Sequence, residues 1–223
     1  MFGVGNMKKD FFKDSKIKFP AYEPWISKQD EKIISKTLKQ SMLTLGPQLE
    51  KFEADFCKYS KAKYAIAVSN CTAALHLSLK ALGIKDNDEV IIPDLTFVAD
   101  ANAVLACNAK PIAADINKEN FFLSISNVKK NITKRTKAII PVHIYGQVCN
   151  IEEVLDLAKD NNLKVIEDCA HAVGTFHKSK HVGTIGNTGC FSFYPTKNIT
   201  TAEGGMVTTN SKEIAEKIRQ LRS

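Results

Sequence analysis

The run Tyr64-Ala65-Ile66-Ala67-Val68-Ser69-Asn70-Cys71-Thr72-Ala73 joins a short apolar segment to small polar residues, and a helical pattern follows. The apolar segment does not alternate with polar residues, as expected for a strand that is covered on both faces of a sheet. Apolar side chains then recur at helical spacing over Thr72–Leu82. This stretch therefore predicts a buried strand that passes directly into a helix.

The same alternation of strand and helix continues along the rest of the chain. Such a pattern is typical of an α/β fold in which helices cover both faces of a mostly parallel sheet. The strand candidates are Tyr64–Ser69, Glu89–Pro93, Pro111–Ile116, Ala138–Ile144, Lys164–Asp168, Gly189–Tyr194 and Gly205–Thr209. The helical candidates are Thr72–Leu82, Val98–Cys107, Ile151–Asn161 and Ser211–Leu221.

Residues 1–45 have a different character from the alternating region. The first 25 or so are polar and irregular, and Phe11, Phe12 and Pro20 suggest a strap that packs on a surface. Ser27 is a candidate N-cap for a helix, and Pro47 is well placed in the first turn of the next one. We therefore expect an N-terminal strap and helix over residues 1–45 and a large domain over residues 46–223.

Composition is ordinary for a globular protein. Of the 223 residues, 44% are apolar and 25% are charged, which excludes collagen-like and wholly disordered classes. The net charge of +7 comes from scattered Lys and not from an arginine stripe with aromatics, so we expect no nucleic-acid partner. The six cysteines form no CxxC pair, and neither a signal peptide nor a membrane-spanning apolar run is visible. These features predict a cytoplasmic protein with free thiols and no membrane contact.

Ligands of open α/β sheets collect at the carboxyl ends of strands, so polar residues at those ends are the first candidates for a site. After the first strand, Ser69, Asn70 or Thr72 could cap the helix, or the small residues could form an anion site at its N-terminus. Asp168 ends the buried run Val165-Ile166-Glu167-Asp168, where a carboxylate is either functional or paired with a neighbouring Lys.

Two further residues are ambiguous when taken alone. His171 could be a core residue, a hydrogen-bond donor or a metal ligand, but the nearby Cys and His residues match no standard ligand spacing, and we expect no metal. Lys197 follows the apolar run Phe191-Ser192-Phe193-Tyr194. A Lys in a partly desolvated pocket can act as a Schiff-base nucleophile, whereas an isolated Lys after a strand is more often a solvated loop residue.

Several motifs together resemble one enzyme family. Its motifs occur in order from residue 43 to residue 222, most clearly in Pro141-Val142-His143-Ile144-Tyr145-Gly146-Gln147, in residues 165–174 and in residues 191–205. The chain resembles the DegT/DnrJ/EryC1/StrS family of nucleotide-sugar aminotransferases, which are pyridoxal-phosphate enzymes of fold type I. The resemblance implies the large cofactor-binding domain, with a mostly parallel seven-stranded sheet sandwiched by helices, and without the small C-terminal domain.

The resemblance also implies roles for individual residues. Lys197 would form the Schiff base with pyridoxal 5'-phosphate, and Asp168 would keep the pyridine nitrogen protonated. His171 would lie near the phenolic oxygen of the cofactor, and Phe97 would stack on its ring. The residues implied for the phosphate group are Thr72, Ala73 and Ser192.

The implied reaction moves an amino group from an amino acid, with glutamate the expected donor, to a nucleotide-linked keto-sugar, in amino-sugar synthesis for surface polysaccharide or related glycans. The full-length form would be a homodimer. A sugar dehydratase of the same family is an alternative, although such members often carry His where Lys197 stands. A Rossmann-type oxidoreductase is more distant because the first strand is not followed by a Gly-x-Gly-x-x-Gly turn. A last alternative is an inactive or partner-dependent fragment, since the sequence stops at Ser223 inside a helical pattern.

Overall fold

The computed structural model describes residues 22–222, so Phe11, Phe12 and Pro20 of the predicted strap lie outside the described residues. The helices are α1 (Lys28–Thr37), α2 (Pro47–Ser60), α3 (Cys71–Ala81), α4 (Ala99–Leu105), α5 (Ile125–Asn131), α6 (Ile151–Asp160) and α7 (Lys212–Arg222). The strands are β1 (Tyr64–Val68), β2 (Glu89–Pro93), β3 (Lys110–Ala114), β4 (Thr136–Ile139), β5 (Lys164–Asp168), β6 (Phe176–His177), β7 (Lys180–His181), β8 (Thr188–Ser192) and β9 (Gly205–Thr209).

Local sequence signals set the starts of the first helices. Ser27 caps α1 in a capping box, in which its hydroxyl accepts the Asp30 amide while the Asp30 carboxylate accepts the Ser27 amide. Pro47 is the first residue of α2, where its fixed φ suits the helix and its missing N–H has no intrahelical partner to lose. No helix within residues 22–222 combines the length and the apolar character needed to cross a membrane.

Seven strands form one sheet in the order β1-β9-β8-β5-β4-β2-β3, and β6 and β7 form a separate hairpin. Strand β9 is antiparallel to both of its neighbours, whereas the pairs β8–β5, β5–β4, β4–β2 and β2–β3 are parallel. Six of the seven strands therefore run in one direction and end at the same edge of the sheet. The predicted α/β fold with a mostly parallel seven-stranded sheet is confirmed.

Helices cover both faces of this sheet, which explains the apolar runs of the sequence. In β2, Val90 and Ile92 belong to the hydrophobic cluster that includes α3, α4 and α7. Ile91 points the other way and packs in a cluster with Val128 of α5 and Val154 of α6. Successive side chains of a strand face opposite sides, so a strand covered twice must be apolar throughout. Each such buried Val or Ile contributes about 1.5–3 kcal/mol to folding.

One predicted strand has different bounds in the structure, and some short elements were not predicted. The strand predicted over Ala138–Ile144 is regular only over Thr136–Ile139. Beyond it the chain still pairs with β5 through a bridge between Val142 and Asp168, and Ile144 begins a short 3-10 turn over Ile144–Gly146. Pro141 has no amide hydrogen to donate, which interrupts the regular strand, although its carbonyl accepts the amide of Asp168 at 2.9 Å. The seven-residue helix α5 and the β6–β7 hairpin were not anticipated, because elements this short carry little periodic signal.

Candidate active site

A cavity of about 730 Å³ opens at the edge where the parallel strands end. Loops that follow β1, β2, β4, β5 and β8 contribute to its wall, as expected for an open α/β sheet. Six of the residues singled out in the sequence line this one cavity: Thr72, Phe97, Asp168, His171, Ser192 and Lys197. Ala73 is not part of its lining.

The start of α3 forms one end of the cavity. Asn70 is the N-cap, and its Oδ1 accepts the amide of Ala73 at 2.8 Å. The helix itself offers no acceptor for the amides of Cys71 and Thr72, so both are suited to hold an anion. Capping and anion binding are therefore compatible, with Asn70 as the cap and the amide of Ala73 already engaged.

Strand β9 packs directly under this turn. A Cβ added to Gly205 would lie 2.5 Å from the carbonyl carbon and oxygen of Asn70 and 2.9 Å from the nitrogen of Cys71. Gly205 is therefore required for the close approach of the two backbones. The position of the α3 N-terminus depends on the absence of a side chain in β9.

Asp168, the last residue of β5, is 5% exposed and faces the cavity. Its Oδ1 accepts the amide of Ala170 at 2.8 Å, and among residues 22–222 it forms no ion pair. Burial raises the pKa of Asp168, although the Ala170 amide and the charge of Lys197 favour the ionised form. A cationic N–H group entering the cavity would stabilise the carboxylate.

Asp100, a second buried acid, was not recognised in the sequence. It is fully buried in α4, and the hydroxyl of Thr96 donates to its Oδ2 at 2.6 Å. Its Oδ1 has no hydrogen-bond partner within the described part of the chain. Burial and the negative charge of Asp168 raise the pKa of Asp100 well above its usual range. The signal available in the sequence was a single acid in a short helix whose other residues, apart from Asn102, are apolar.

Glu167 precedes Asp168 and has a different environment. Its carboxylate is fully buried and accepts the amides of Gly183, Ile185 and Gly186 at 2.7–2.8 Å, together with Nε2 of His143 at 3.0 Å. Burial alone would raise the pKa of Glu167, but these hydrogen bonds outweigh it and lower the pKa. Cys169 lies near this pair, within 4.8 Å, yet both carboxylate oxygens are already occupied by donors. Hydrogen bonding accounts for this cluster, and Glu167 anchors the loop of residues 183–186.

His171 lies in the wall of the cavity and is half-buried. Its Nδ1 accepts the backbone amide of Tyr145 at 3.3 Å, and the two rings are stacked with centroids 5.5 Å apart and planes 6° from parallel. Burial lowers the pKa of His171, and the positive charge of Lys197 lowers it further. The ring is therefore neutral at neutral pH. The importance of Tyr145 was not predicted from the sequence, although Tyr145 lies within the motif of residues 141–147.

Lys197 lies half-buried in the loop between β8 and β9. Its amide donates to the carbonyl of Tyr194 at 2.9 Å, and the loop is closed where Phe193 donates to Gly204 at 2.9 Å. At the base of the loop the hydroxyl of Ser192 accepts the Tyr194 amide at 3.4 Å. These bonds hold the Lys197 loop over the cavity.

Phe97 is placed at the rim of the cavity, in the connection from β2 to α4. Its side chain is 73% exposed, so its ring is free to contact a ligand. Glu203, from the loop before β9, also lines the cavity and was not predicted. Its position after the Lys197 loop was the available clue.

Known proteins are similar to this chain in sequence and in fold. The model of the DegT/DnrJ/EryC1/StrS aminotransferase family matches residues 24–223. GDP-perosamine synthase of Vibrio cholerae is 42% identical over 205 residues, which cover 92% of this chain and 56% of that protein. Helicobacter pylori PseC, an aminotransferase involved in the biosynthesis of pseudoaminic acid, superposes with a TM-score of 0.86 at 35% identity, covering 92% of this chain and 56% of the other. A Streptococcus pneumoniae protein in its PLP form gives a TM-score of 0.86 at 28% identity, covering 91% and 57%.

The chain spans about half the length of the curated relatives it matches. Over that half, the family match includes every strand of the sheet and every residue that lines the cavity. The relatives in the solved structures include a PLP form and a PMP form, in keeping with a family that depends on pyridoxal phosphate. The chain belongs to the DegT/DnrJ/EryC1/StrS family of pyridoxal-phosphate-dependent aminotransferases.

Proposed function

We propose that the whole protein transfers an amino group from an amino acid, glutamate, to a nucleotide-linked keto-sugar, in the synthesis of an amino sugar for a surface polysaccharide or related glycan. One observation carries this proposal. Lys197, Asp168 and the N-terminus of α3 line a single cavity at the carboxyl edge of the sheet. A nucleophilic amine, a buried acid and an anion site are the groups that pyridoxal phosphate chemistry requires of a protein.

The residues of the cavity fit this cofactor. The amides of Cys71 and Thr72 offer two donors to a phosphate at a helix N-terminus, with the Thr72 hydroxyl and Ser192 beside them. We assign Ala73 to the same phosphate-binding turn, where its amide donates to Oδ1 of Asn70 and not to the ligand. Asp168 is buried without an ion-pair partner among the described residues, which suits a protonated ring nitrogen. Phe97 offers an exposed ring for stacking.

The chemical division of labour follows from these positions. When bound, pyridoxal phosphate supplies an electron sink for the negative charge that develops at the substrate carbon. The Lys197 amine would bind the cofactor covalently and, once free, would accept and return the substrate proton as a general base and acid. The Asp168 carboxylate would hold a proton on the ring nitrogen of the bound cofactor, and its burial would make that pairing strong.

The sugar-nucleotide class is supported by the relatives, which include GDP-perosamine synthase and an aminotransferase of pseudoaminic acid biosynthesis. A dehydratase of the same family is the second candidate. The Lys197 side chain in the cavity favours transamination, because the dehydratase members often carry His at that position.

We also propose that the whole protein works as a homodimer in the cytoplasm. Helix α1 buries none of its side chains, and large apolar residues along it and beside it are exposed. They include Trp25 at 83%, Leu38 at 67% and Leu43 at 62% exposed. Apolar surface of this extent favours association with another protein surface. Light scattering of the whole protein should give the mass of two copies, and a monomer would refute the dimer.

Borohydride trapping tests the cofactor proposal. The protein is incubated with pyridoxal phosphate, reduced, digested and analysed by mass spectrometry. We expect the adduct on Lys197, none on that peptide in Lys197→Ala, and an unchanged adduct in Lys164→Ala, which alters the far end of β5. A folded protein without an adduct on Lys197 would refute the cofactor site. Amino transfer from glutamate to nucleotide-linked keto-sugars by the whole protein then separates transaminase from dehydratase. The absence of both products would refute both activities.

A further inference from the structure

Tyr145 has a backbone conformation that its side chain disfavours. Its φ and ψ are 52° and 27°, in the left-handed region, and the next residue, Gly146, has a φ of 80°. A bulky residue is disfavoured in this region and persists only where surrounding contacts impose it. Residues of this kind cluster at functional sites, so the contacts that impose the conformation indicate its role.

Those contacts are all with His171 and Thr175, which lie in the loop after β5. The Tyr145 amide donates to Nδ1 of His171, and the two rings are stacked. The hydroxyl of Thr175 donates to the carbonyl of Gly146 at 2.9 Å. A Cβ on Gly146 would lie 3.3 Å from the carbonyl oxygen of His171, so the two segments are in close contact. The left-handed turn thus fixes both the plane and the edge of the imidazole.

The hydrogen bond from Tyr145 determines where the proton of His171 lies. A backbone N–H can only donate, so Nδ1 of His171 must be an acceptor and carry no hydrogen. A neutral imidazole has one N–H, which is then at Nε2. We propose that Tyr145 is a positioning residue that holds His171 in the Nε2–H tautomer, so that the ring presents a fixed hydrogen-bond donor to the cavity.

This donor suits an anionic or strongly accepting oxygen of a ligand. His171, Tyr145 and Lys197 line the same cavity. If the cavity takes pyridoxal phosphate, as proposed above, the phenolate oxygen of the ring is the matching acceptor, and the donor would stabilise its ionised form. The assignment of the tautomer does not depend on that cofactor, because it rests on contacts within the protein.

The test is nitrogen NMR of ¹⁵N-histidine-labelled protein without cofactor, near pH 7.5. The His171 signals are assigned by their loss in His171→Gln. We expect one protonated and one unprotonated nitrogen, with the proton at Nε2. In Tyr145→Gly, which suits the left-handed backbone but removes the stacked ring, the two shifts should converge and the pKa of His171 should move up toward its usual value. Tyr145→Phe should restore the original pattern.

Phe121→Gly is the matched control. Phe121 also has a left-handed backbone, with a φ of 62°, but it is not part of the cavity wall. This variant should leave the His171 signals unchanged. A proton at Nδ1 in the unmodified protein, or a Tyr145→Gly spectrum identical to it, would overturn the inference. If Tyr145→Gly does not fold, the spectra of the unmodified protein and Tyr145→Phe still decide, since both must show the Nε2–H pattern. Loss of cofactor binding with that pattern intact would refute the proposed function alone.

Discussion

Replacing Gly205 with Ala would test whether the β9 backbone positions the anion site. The added Cβ would lie 2.5 Å from two backbone atoms of Asn70 and 2.9 Å from the nitrogen of Cys71. Non-bonded carbon contacts are comfortable at about 3.5–4.0 Å, so the turn must move by about 1 Å. All the atoms in contact are backbone, so no flexible side chain can swing away.

The magnitude follows from what this movement disturbs. Overpacking of a rigid site costs about 1–3 kcal/mol. Losing the Asn70 cap on the Ala73 amide adds about 1 kcal/mol. We therefore expect Gly205→Ala to lower the free energy of unfolding by about 2–4 kcal/mol. Misalignment of one charge-assisted hydrogen bond costs about 1.5–3 kcal/mol, so affinity for pyridoxal phosphate should fall by about 10- to 100-fold.

Two measurements check these values: urea unfolding for stability, and a fluorescence titration with pyridoxal phosphate for affinity. Gly186→Ala is the control, because its Cβ would lie 2.8 Å from the carbonyl oxygen of Val165, away from the cavity. That variant should lose stability and keep its affinity. If Gly205→Ala loses stability but binds pyridoxal phosphate as tightly as the unmodified protein, the turn does not hold the phosphate.

Two further substitutions test the buried acids. Glu167→Gln places an NH2 donor where a carboxylate oxygen accepts from the Gly183 amide or His143, so the free energy of unfolding in urea should fall by about 3 kcal/mol. The control, Glu213→Gln at an exposed position, should show no measurable change. Folding lowers the pKa of Glu167, so this residue stabilises the folded state fully above its ordinary pKa of about 4.3 and loses that effect as pH falls through the folded pKa. Glu167→Gln should lack this acid-dependent loss of stability. Folding raises the pKa of Asp100, so the unmodified protein should lose stability as pH rises above the ordinary pKa of about 3.9. The stability of Asp100→Asn minus that of the unmodified protein should therefore be greater at pH 7 than at pH 4. Parallel stability curves for the two proteins between these pH values would contradict the account of Asp100.

Sequence reasoning succeeded where local pattern and final structure depend on the same physics. A strand buried on both faces must be apolar, so β2 and β5 were recognisable from their runs alone. Because the parallel strands end at one edge, residues that follow different strands, such as Thr72, Asp168 and Lys197, meet in one cavity. Their roles came from the resemblance to a family, since spacing alone left them ambiguous.

Other features depend on contacts that sequence patterns do not encode. The pKa of Asp100 is governed by its burial and by the charge of Asp168, 68 positions away in the chain. The role of Tyr145 depends on the ring of His171 and on a left-handed backbone that no local residue preference predicts. The end of β4 was missed because Ile140 stays buried after the strand has ended and its amide still donates to Ile91, so neither hydrophobicity nor pairing stops sharply there.

The two neighbouring acids at the end of β5 also determine how the strand can be aligned. Glu167 and Asp168 point to opposite faces of the sheet. In the parallel pair with β8, Glu167 is aligned with Gly189 and Asp168 with Cys190. A slip of one residue would exchange them, placing the longer glutamate in the cavity and an aspartate among the amides of residues 183–186. The shorter side chain could not reach the donors that Glu167 satisfies there. The hydrogen bonds of Glu167, outside the cavity, therefore stabilise one register of β5, and this register places Asp168 in the cavity.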